Sequence, residues 1–177
     1  MVHGVARLAA SLRAGRKPRV SLRPARPVDY GFARQTCFSA LREVLGPNAD
    51  WDEALEDGLF ARQFVQSEVE MVALGGQEAG WLQTRREGGR IHLIRFCLAA
   101  AFRSRGLGRF VLDRLQARAR RAGSPIVLSL ARIDPALEFY LRRGFRIVEV
   151  EPYRIHLRLD PRPSYRGPGP TPGMRRG

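Results

Sequence analysis

The stretch with the clearest chemical potential is Arg103-Ser104-Arg105-Gly106-Leu107-Gly108. Gly106 and Gly108 carry no Cβ, so the backbone there turns sharply and comes close to a ligand. An apolar, strand-like run from Ile91 to Leu98 precedes the stretch, and a helix-like run from Arg109 to Arg121 follows it. A strand that enters such a loop and leaves as a helix presents amides with no intrahelical partner, at the positive end of the helix dipole. That layout binds an anion such as a pyrophosphate, and Arg103, Arg105 and Arg109 add positive charge around it. No Gly-Lys-Ser/Thr follows, and the three-glycine dinucleotide fingerprint is absent, so two common phosphate loops are excluded. Taken alone, the stretch reads equally as a glycine turn before a solvated, arginine-rich helix.

The elements that must position this loop follow from periodicity. Val20 to Pro24 alternates as a first strand. Asp29 is placed to cap a helix from Tyr30 to Leu45, whose Phe32, Cys37, Phe38, Leu41, Val44 and Leu45 form one apolar stripe, and Gly46-Pro47-Asn48 stops it. A second helix opens at Asp50 and runs to about Phe64. Val69–Leu74, Ala79–Thr84 and Ile91–Leu98 form a meander, turning at Gly75-Gly76-Gln77 and at Glu87-Gly88-Gly89. The helix after the loop buries Phe110, Val111, Leu115 and Ala119, and Gly123-Ser124-Pro125 ends it. Ile126 to Leu130 is continuously apolar, as in a strand buried on both faces. Asp134-Pro135 starts a helix from Ala136 to Arg143, with Gly144 as its stop. Phe145–Val150 and Tyr153–Leu159 make a last antiparallel pair. The order β-α-α-β-β-β-α-β-α-β-β specifies an α/β (α+β) domain, a mixed sheet of about seven strands with helices on both faces.

Composition bounds the function classes. The 177 residues carry 44% hydrophobic residues and a formal charge of +14. A chain of this length is expected to form one domain with a sizeable core. No apolar run approaches the ~20 residues that span a bilayer, so no membrane role is expected. The charge is unevenly spread. Residues 1–26 hold seven basic residues and residues 161–177 hold four, with no acid in either segment, which leaves only +3 for residues 27–160. Basicity is therefore a property of the ends. We read residues 1–18 as a basic tail, 19–160 as the domain, and 161–177 as a Pro/Gly/Arg-rich disordered tail. The tails suit weak nucleic-acid contact, and the acid-free, arginine-bearing start reads as a transit peptide or a disordered extension. Cys37 and Cys97 are too few for a disulfide framework or a thiolate zinc site, so no metal is expected. Free buried thiols and no secretory signal point to a reducing cytoplasm.

Arg103-x-x-Gly106-x-Gly108 is similar to the acyl-CoA loop of the GNAT N-acetyltransferase superfamily, Gln/Arg-x-x-Gly-x-Gly/Ala. A second segment, Asp134 to Phe145, resembles the superfamily's Asn-x-x-Ala-x-x-Phe-Tyr-x-x-x-Gly-Phe, and the element order also matches. The resemblance covers residues 19–160, and the run Asp50-Trp51-Asp52-Glu53 resembles one loosely defined, largely uncharacterised bacterial branch. It implies the GNAT fold, splayed between the fourth and fifth strands, and an acetyl-CoA-dependent acyltransferase that uses acetyl-CoA as donor substrate. Leu98 would pair with the pantetheine arm through its backbone, and the amides of Arg103, Ser104, Arg105, Gly106, Leu107 and Gly108, with Arg109, would hold the pyrophosphate. Tyr140 matches the tyrosine that in many members protonates the departing thiolate, and an ordinary pKa of ~10 lets it keep that proton. The alternative for Tyr140 is an aromatic core residue. Two departures stand out. Asp134 opens its segment where the family has Asn, near the anionic cofactor or simply as a helix cap, and Ala99-Ala100-Ala101 replaces the usual polar-Pro-acid linker.

Counting back from the loop, His92 falls where a histone-acetylating branch carries its glutamate base. By alternation it shares a strand face with Ile94, Phe96 and Leu98, with Arg95 opposite and placed to anchor a carboxylate. A pKa of ~6.5 suits deprotonation of an ammonium through water, and a half-buried histidine with a satisfied nitrogen is the plain alternative. His156 and His3 look incidental. The acids Asp50, Asp52, Glu53, Glu56 and Asp57 read as a helix first turn or, with Trp51, as an attractor of a cationic amine. The acceptor class is a small-molecule or peptide amine, and family members often dimerise, so a homodimer is one assembly implied. Two rival functions remain, a CoA-binding domain without catalysis and a nucleic-acid- or ribosome-associated module built on the tails.

Overall fold

The computed structural model describes residues 19–46 and 50–161. The expected tail 1–18, nearly all of the expected tail 161–177, and Pro47 and Asn48 of the helix stop lie outside the described residues. The elements are β1 (Val20–Pro24), α1 (Tyr30–Leu45), α2 (Glu53–Gln63), β2 (Val69–Leu74), β3 (Gln77–Glu87), β4 (Arg90–Leu98), α3 (Leu107–Ala122), β5 (Ile126–Ala131), α4 (Leu137–Arg142), β6 (Arg146–Val150) and β7 (Arg154–Leu159). Their order is the one periodicity predicts. All seven strands join one sheet in the order β1-β2-β3-β4-β5-β7-β6.

Every neighbouring pair is antiparallel except β4 and β5. Their parallel ladder holds only the pairs Ile91↔Ile126 and His92↔Val127. From Leu93 to Leu98 the β5-facing edge of β4 has no ladder partner, so the two strands part toward their C-terminal ends. A strand edge with unmet amides and carbonyls invites an extended ligand to lie along it.

Two apolar clusters lie on opposite faces of the sheet, because successive side chains of a strand point to opposite sides. One packs Leu107, Val111, Leu112, Leu115 and Ala119 of α3, with Tyr140 of α4, on Leu82, Ile91, Leu93, Ile126, Leu128 and Leu157. The other packs Ala33, Cys37 and Phe38 of α1, with Phe60 of α2, on Val69, Met71 and Trp81. Trp81 Nε1 donates to the Ala33 carbonyl at 3.0 Å and pins α1 to β3. The buried stripe of α1 is shorter than its apolar pattern, since Leu45 at the far end is 42% exposed. Among the described residues, no helix is long and apolar enough to cross a membrane.

Two expectations are corrected here. Ile126 to Ala131 is not buried on both faces: Ile126 and Leu128 are buried, while Val127 and Ser129 are half-buried. Among the described residues, the second cluster contains no residue of β5, β6 or β7, and nothing described covers that face of this half of the sheet. Asp29 precedes α1 but does not cap it with its side chain. Its carboxylate instead accepts from Arg23 Nη1 at 2.6 Å, Arg23 Nη2 at 2.8 Å and the Arg26 amide at 2.6 Å.

Candidate functional site

The loop at the mouth of the splay is built as a tight anion-facing turn. A single 3₁₀ turn, Ala100–Phe102, replaces the usual linker, with the Phe102 amide on the Ala99 carbonyl at 2.8 Å. Ser104 then adopts φ 59°, and Gly106 adopts φ 78°, ψ 0°. Left-handed backbone suits glycine and strains serine, which is a feature typical of ligand-binding turns. The first backbone hydrogen bond of α3 is donated by the Phe110 amide to the Gly106 carbonyl at 3.0 Å. The amides of Leu107, Gly108 and Arg109 donate to no described group, as expected of a helix start.

Of the three arginines, Arg103 is turned away. Its Nε donates to the Leu98 carbonyl at 3.0 Å, and its guanidinium pairs with Glu43 at the end of α1. It thus ties the loop to β4 and α1. Arg105 lies 5.8 Å from the Phe102 ring centre, and Arg109, 75% exposed, stands 3.8 Å from Asp113. Gly108 joins the two sequence segments. A Cβ there would come within 3.3 Å of the Phe139 ring and 3.9 Å of Leu98, so the start of α3 rests directly on α4 and β4.

Tyr140 is 5% exposed and set edge-on between Phe139 and Phe145, at 5.3 Å and 5.4 Å between ring centres. Burial first, then the charge of Asp134 and the Cys97 thiol, push its pKa well above the ordinary tyrosine value. Asp134, three residues before α4 begins, makes an Asx turn, its Oδ1 accepting from the Ala136 amide at 2.8 Å.

The face of His92 differs from simple alternation. Ile91 and Leu93 sit in the cluster under α3, and Phe96 and Leu98 pack against that same cluster, which parity alone forbids. A bulge reconciles them: Gln83 pairs with Arg95 and Thr84 with Leu93, leaving Ile94 unpaired. His92 therefore faces the α1 and α2 side with Arg95 and Cys97, opposite Phe96 and Leu98. It is half-buried and lies in the closed end of the splay, beside Val127. Arg95 anchors no carboxylate among the described residues. Its Nη1 donates to Cys37 Sγ at 3.0 Å and its Nη2 to the Gln63 side-chain oxygen.

The acidic run is largely engaged in structure. Asp52 caps α2, accepting from the Leu55 amide at 3.0 Å. Glu53 binds Arg34 and Arg42, each at 2.9 Å, and Asp57 binds Arg34 at 2.7 Å. Trp51 stacks edge-on against Phe38 at 5.3 Å, under the Arg42 guanidinium. These contacts pin α2 to α1.

Sequence reasoning missed the open polar face of β5 and β7. Arg154 Nε donates to Ser129 Oγ at 2.7 Å, and His156 Nε2 stands 3.1 Å from Glu151 Oε1 without hydrogen-bond geometry. The alternation Ile155-His156-Leu157-Arg158 carries the signal of one buried and one polar face. Gly80 was also legible as a strand glycine. It pairs with Leu98, and a Cβ there would strike the Cys97 carbonyl at 2.3 Å.

A sheet splayed beside a glycine-turned helix start is the architecture of an acyltransferase domain. The family model described as Acetyltransferase (GNAT) domain matches residues 34–161, and the chain belongs to that family. No curated protein matches it by sequence. Solved structures share the fold. PaiA N-acetyltransferase from Thermoplasma acidophilum, in complex with coenzyme A, has a TM-score of 0.67 at 10% identity, covering 80% of this chain and 99% of that one. An acetyltransferase from Thermus thermophilus has 0.62 at 20%, covering 80% and 96%. Naa50 from Arabidopsis thaliana, in complex with the bisubstrate analogue CoA-Ac-MVNAL, has 0.53 at 18%, covering 78% and 96%.

Proposed function

We propose that the protein is an N-acetyltransferase that passes the acetyl group of acetyl-CoA directly to a primary amine. The observation that carries this reading is the two-pair β4–β5 ladder opening onto the glycine-turned start of α3. The unpaired edge of β4 up to Leu98 would receive the pantetheine arm. The amides from Ser104 to Arg109 would receive the pyrophosphate, with Arg105 and Arg109 supplying charge. Coenzyme A bound to the PaiA enzyme, on the same fold, supports the choice of donor.

Attack of a neutral amine on the thioester carbon develops charge on the carbonyl oxygen and then on the sulfur. Strand amides of β4 stabilise the first. Tyr140 suits the second, because its raised pKa keeps the proton in place throughout the neutral range. A phenol that weakly acidic acts by donating a hydrogen bond to the departing sulfur more readily than by complete proton transfer. His92, half-buried at the closed end of the splay, would relieve the ammonium of a proton through water. The peptide portion of the analogue bound to Naa50 makes peptide amines a reasonable first acceptor class.

The test has two parts. Acetyl-CoA should raise the Tm by mass action, by about 2.7 kcal/mol of stabilisation at a hundredfold excess over Kd. No shift at millimolar acetyl-CoA overturns the cleft assignment. A panel of small amines, lysine peptides and peptide N-termini should then release free CoA thiol. A Tm shift without release from any of them leaves a CoA-binding domain without catalysis.

A further inference from the structure

The hairpin of β6 and β7 brings one histidine and two carboxylates to a single spot, and no step of acetyl transfer uses them. Glu149 stands directly opposite His156 in the antiparallel ladder, so the two share a face of the sheet. Glu151 follows Glu149 by two residues, and its amide donates to the Arg154 carbonyl at 2.9 Å, which closes the turn. One ligand atom from each of the three lies within 4.8 Å of the other two. Ile155 and Leu157 belong to the cluster under α3, so His156 and its partners lie on the opposite face, over which nothing described packs. The trio is more than a patch of surface acid. His156 Nε2 is shut off from solvent and has no hydrogen-bond partner among the described residues, although Glu151 Oε1 is 3.1 Å away. A buried nitrogen left in that state needs some other group to complete its bonding. The chain carries 31 lysines and arginines, yet among the described residues neither glutamate is paired with one. The three arginines of the hairpin are engaged elsewhere: Arg154 on Ser129 Oγ at 2.7 Å, Arg158 on Asp160 at 2.7 Å, and Arg146 on Asp160.

We propose that Glu149, Glu151 and His156 form a binding site for a divalent cation of the zinc type, which staples β6 to β7 beside their turn. An imidazole nitrogen with two carboxylates is a ligand set that zinc accepts, whereas magnesium and calcium favour oxygen alone. The cation would satisfy the buried nitrogen and neutralise two neighbouring carboxylates in one step. Water completes its coordination from the open face. The cysteine count excludes only a thiolate site, and this ligand set contains no thiolate.

Untagged full-length protein is stripped with EDTA, exchanged into chelator-free buffer and titrated calorimetrically with zinc chloride, with magnesium chloride as the comparison. The expected result is saturable binding of one zinc per chain, no binding of magnesium over the same range, and a zinc-dependent rise in Tm that EDTA reverses. His156→Gln and Glu149→Gln should each weaken zinc binding by at least about tenfold, the loss that even outer partners of a metal can cause. No saturable zinc binding at millimolar concentration overturns the proposal and leaves Glu151 and His156 as a plain charge pair. Equal zinc affinity in the parent and both variants also overturns it, because the metal then sits elsewhere. Magnesium bound as tightly as zinc overturns the part given to the histidine nitrogen. Should His156→Gln fail to fold by circular dichroism, Glu151→Gln, at a side chain 46% exposed, decides on the same terms. Zinc binding is read without acetyl-CoA, so its failure and the failure of the acetyltransferase reading are separate results.

Discussion

Tyr140 is held by two aromatic edges and carries a hydroxyl that bonds to no described residue. Its ring contributes packing and its hydroxyl contributes chemistry, so one substitution separates them. Tyr140→Phe should keep the Tm and the CoA Kd close to those of the parent while lowering kcat by about 10²-fold, the usual scale for a positioned proton donor. An unchanged kcat removes the proposed role. At this scale, the turn at Gly106 left a mark in the sequence because left-handed backbone favours glycine, whereas Tyr140 was singled out only through the resemblance of its segment to the family's. The face of His92 was not legible. A bulge at Ile94 shifts the parity of β4, and no residue type around it announces an extra residue. The contact of Arg95 with Cys37 was hidden for a different reason: residues 58 positions apart meet only after α1 has settled on the sheet.

Elements are joined by a few polar contacts that periodicity does not show. Arg23 of β1 binds Asp29 with both nitrogens, just before α1, and Asp29 is 2% exposed. The pairing with Arg23 holds the Asp29 carboxyl well below the usual aspartate range. Its contribution to stability is therefore present above the unfolded value of ~3.9 and drains away as the pH falls below it toward the folded value. Asp29→Asn keeps the shape and removes the charge. It should lower stability by about 1–3 kcal/mol at pH 7, a cost typical of a broken, largely desolvated pair, and the loss should shrink at pH 3. Thermal unfolding at the two pH values checks this, and an equal loss at both would show that the charge is not the cause. The acids at the start of α2 make a similar point. Their clustering is visible in the sequence, but Arg34 and Arg42 of α1 are what engage them.

For the whole molecule, the decisive property is the divergence of β4 from β5. Acetyl-CoA bound along the open edge should slow hydrogen exchange of the amides from Leu93 to Leu98 and from Ser104 to Arg109, while β1 and β2 exchange as before. Uniform slowing across the sheet would instead indicate a general stabilisation, and no change in β4 would place the ligand elsewhere. Element types, their order, the glycine loop and the aromatic segment were all determined by the sequence itself, because helical and strand periods, turn residues and caps are local properties. Strand order, the two-pair parallel ladder, the bulge, the open polar face of β5 and β7, and the meeting of Cys37 with Arg95 were decided only by tertiary structure. Each depends on which distant residues bury one another, and no local pattern encodes that choice. The glycine loop spans both levels: its turn is written in six residues, and its place at the mouth of a cleft comes from the strands around it.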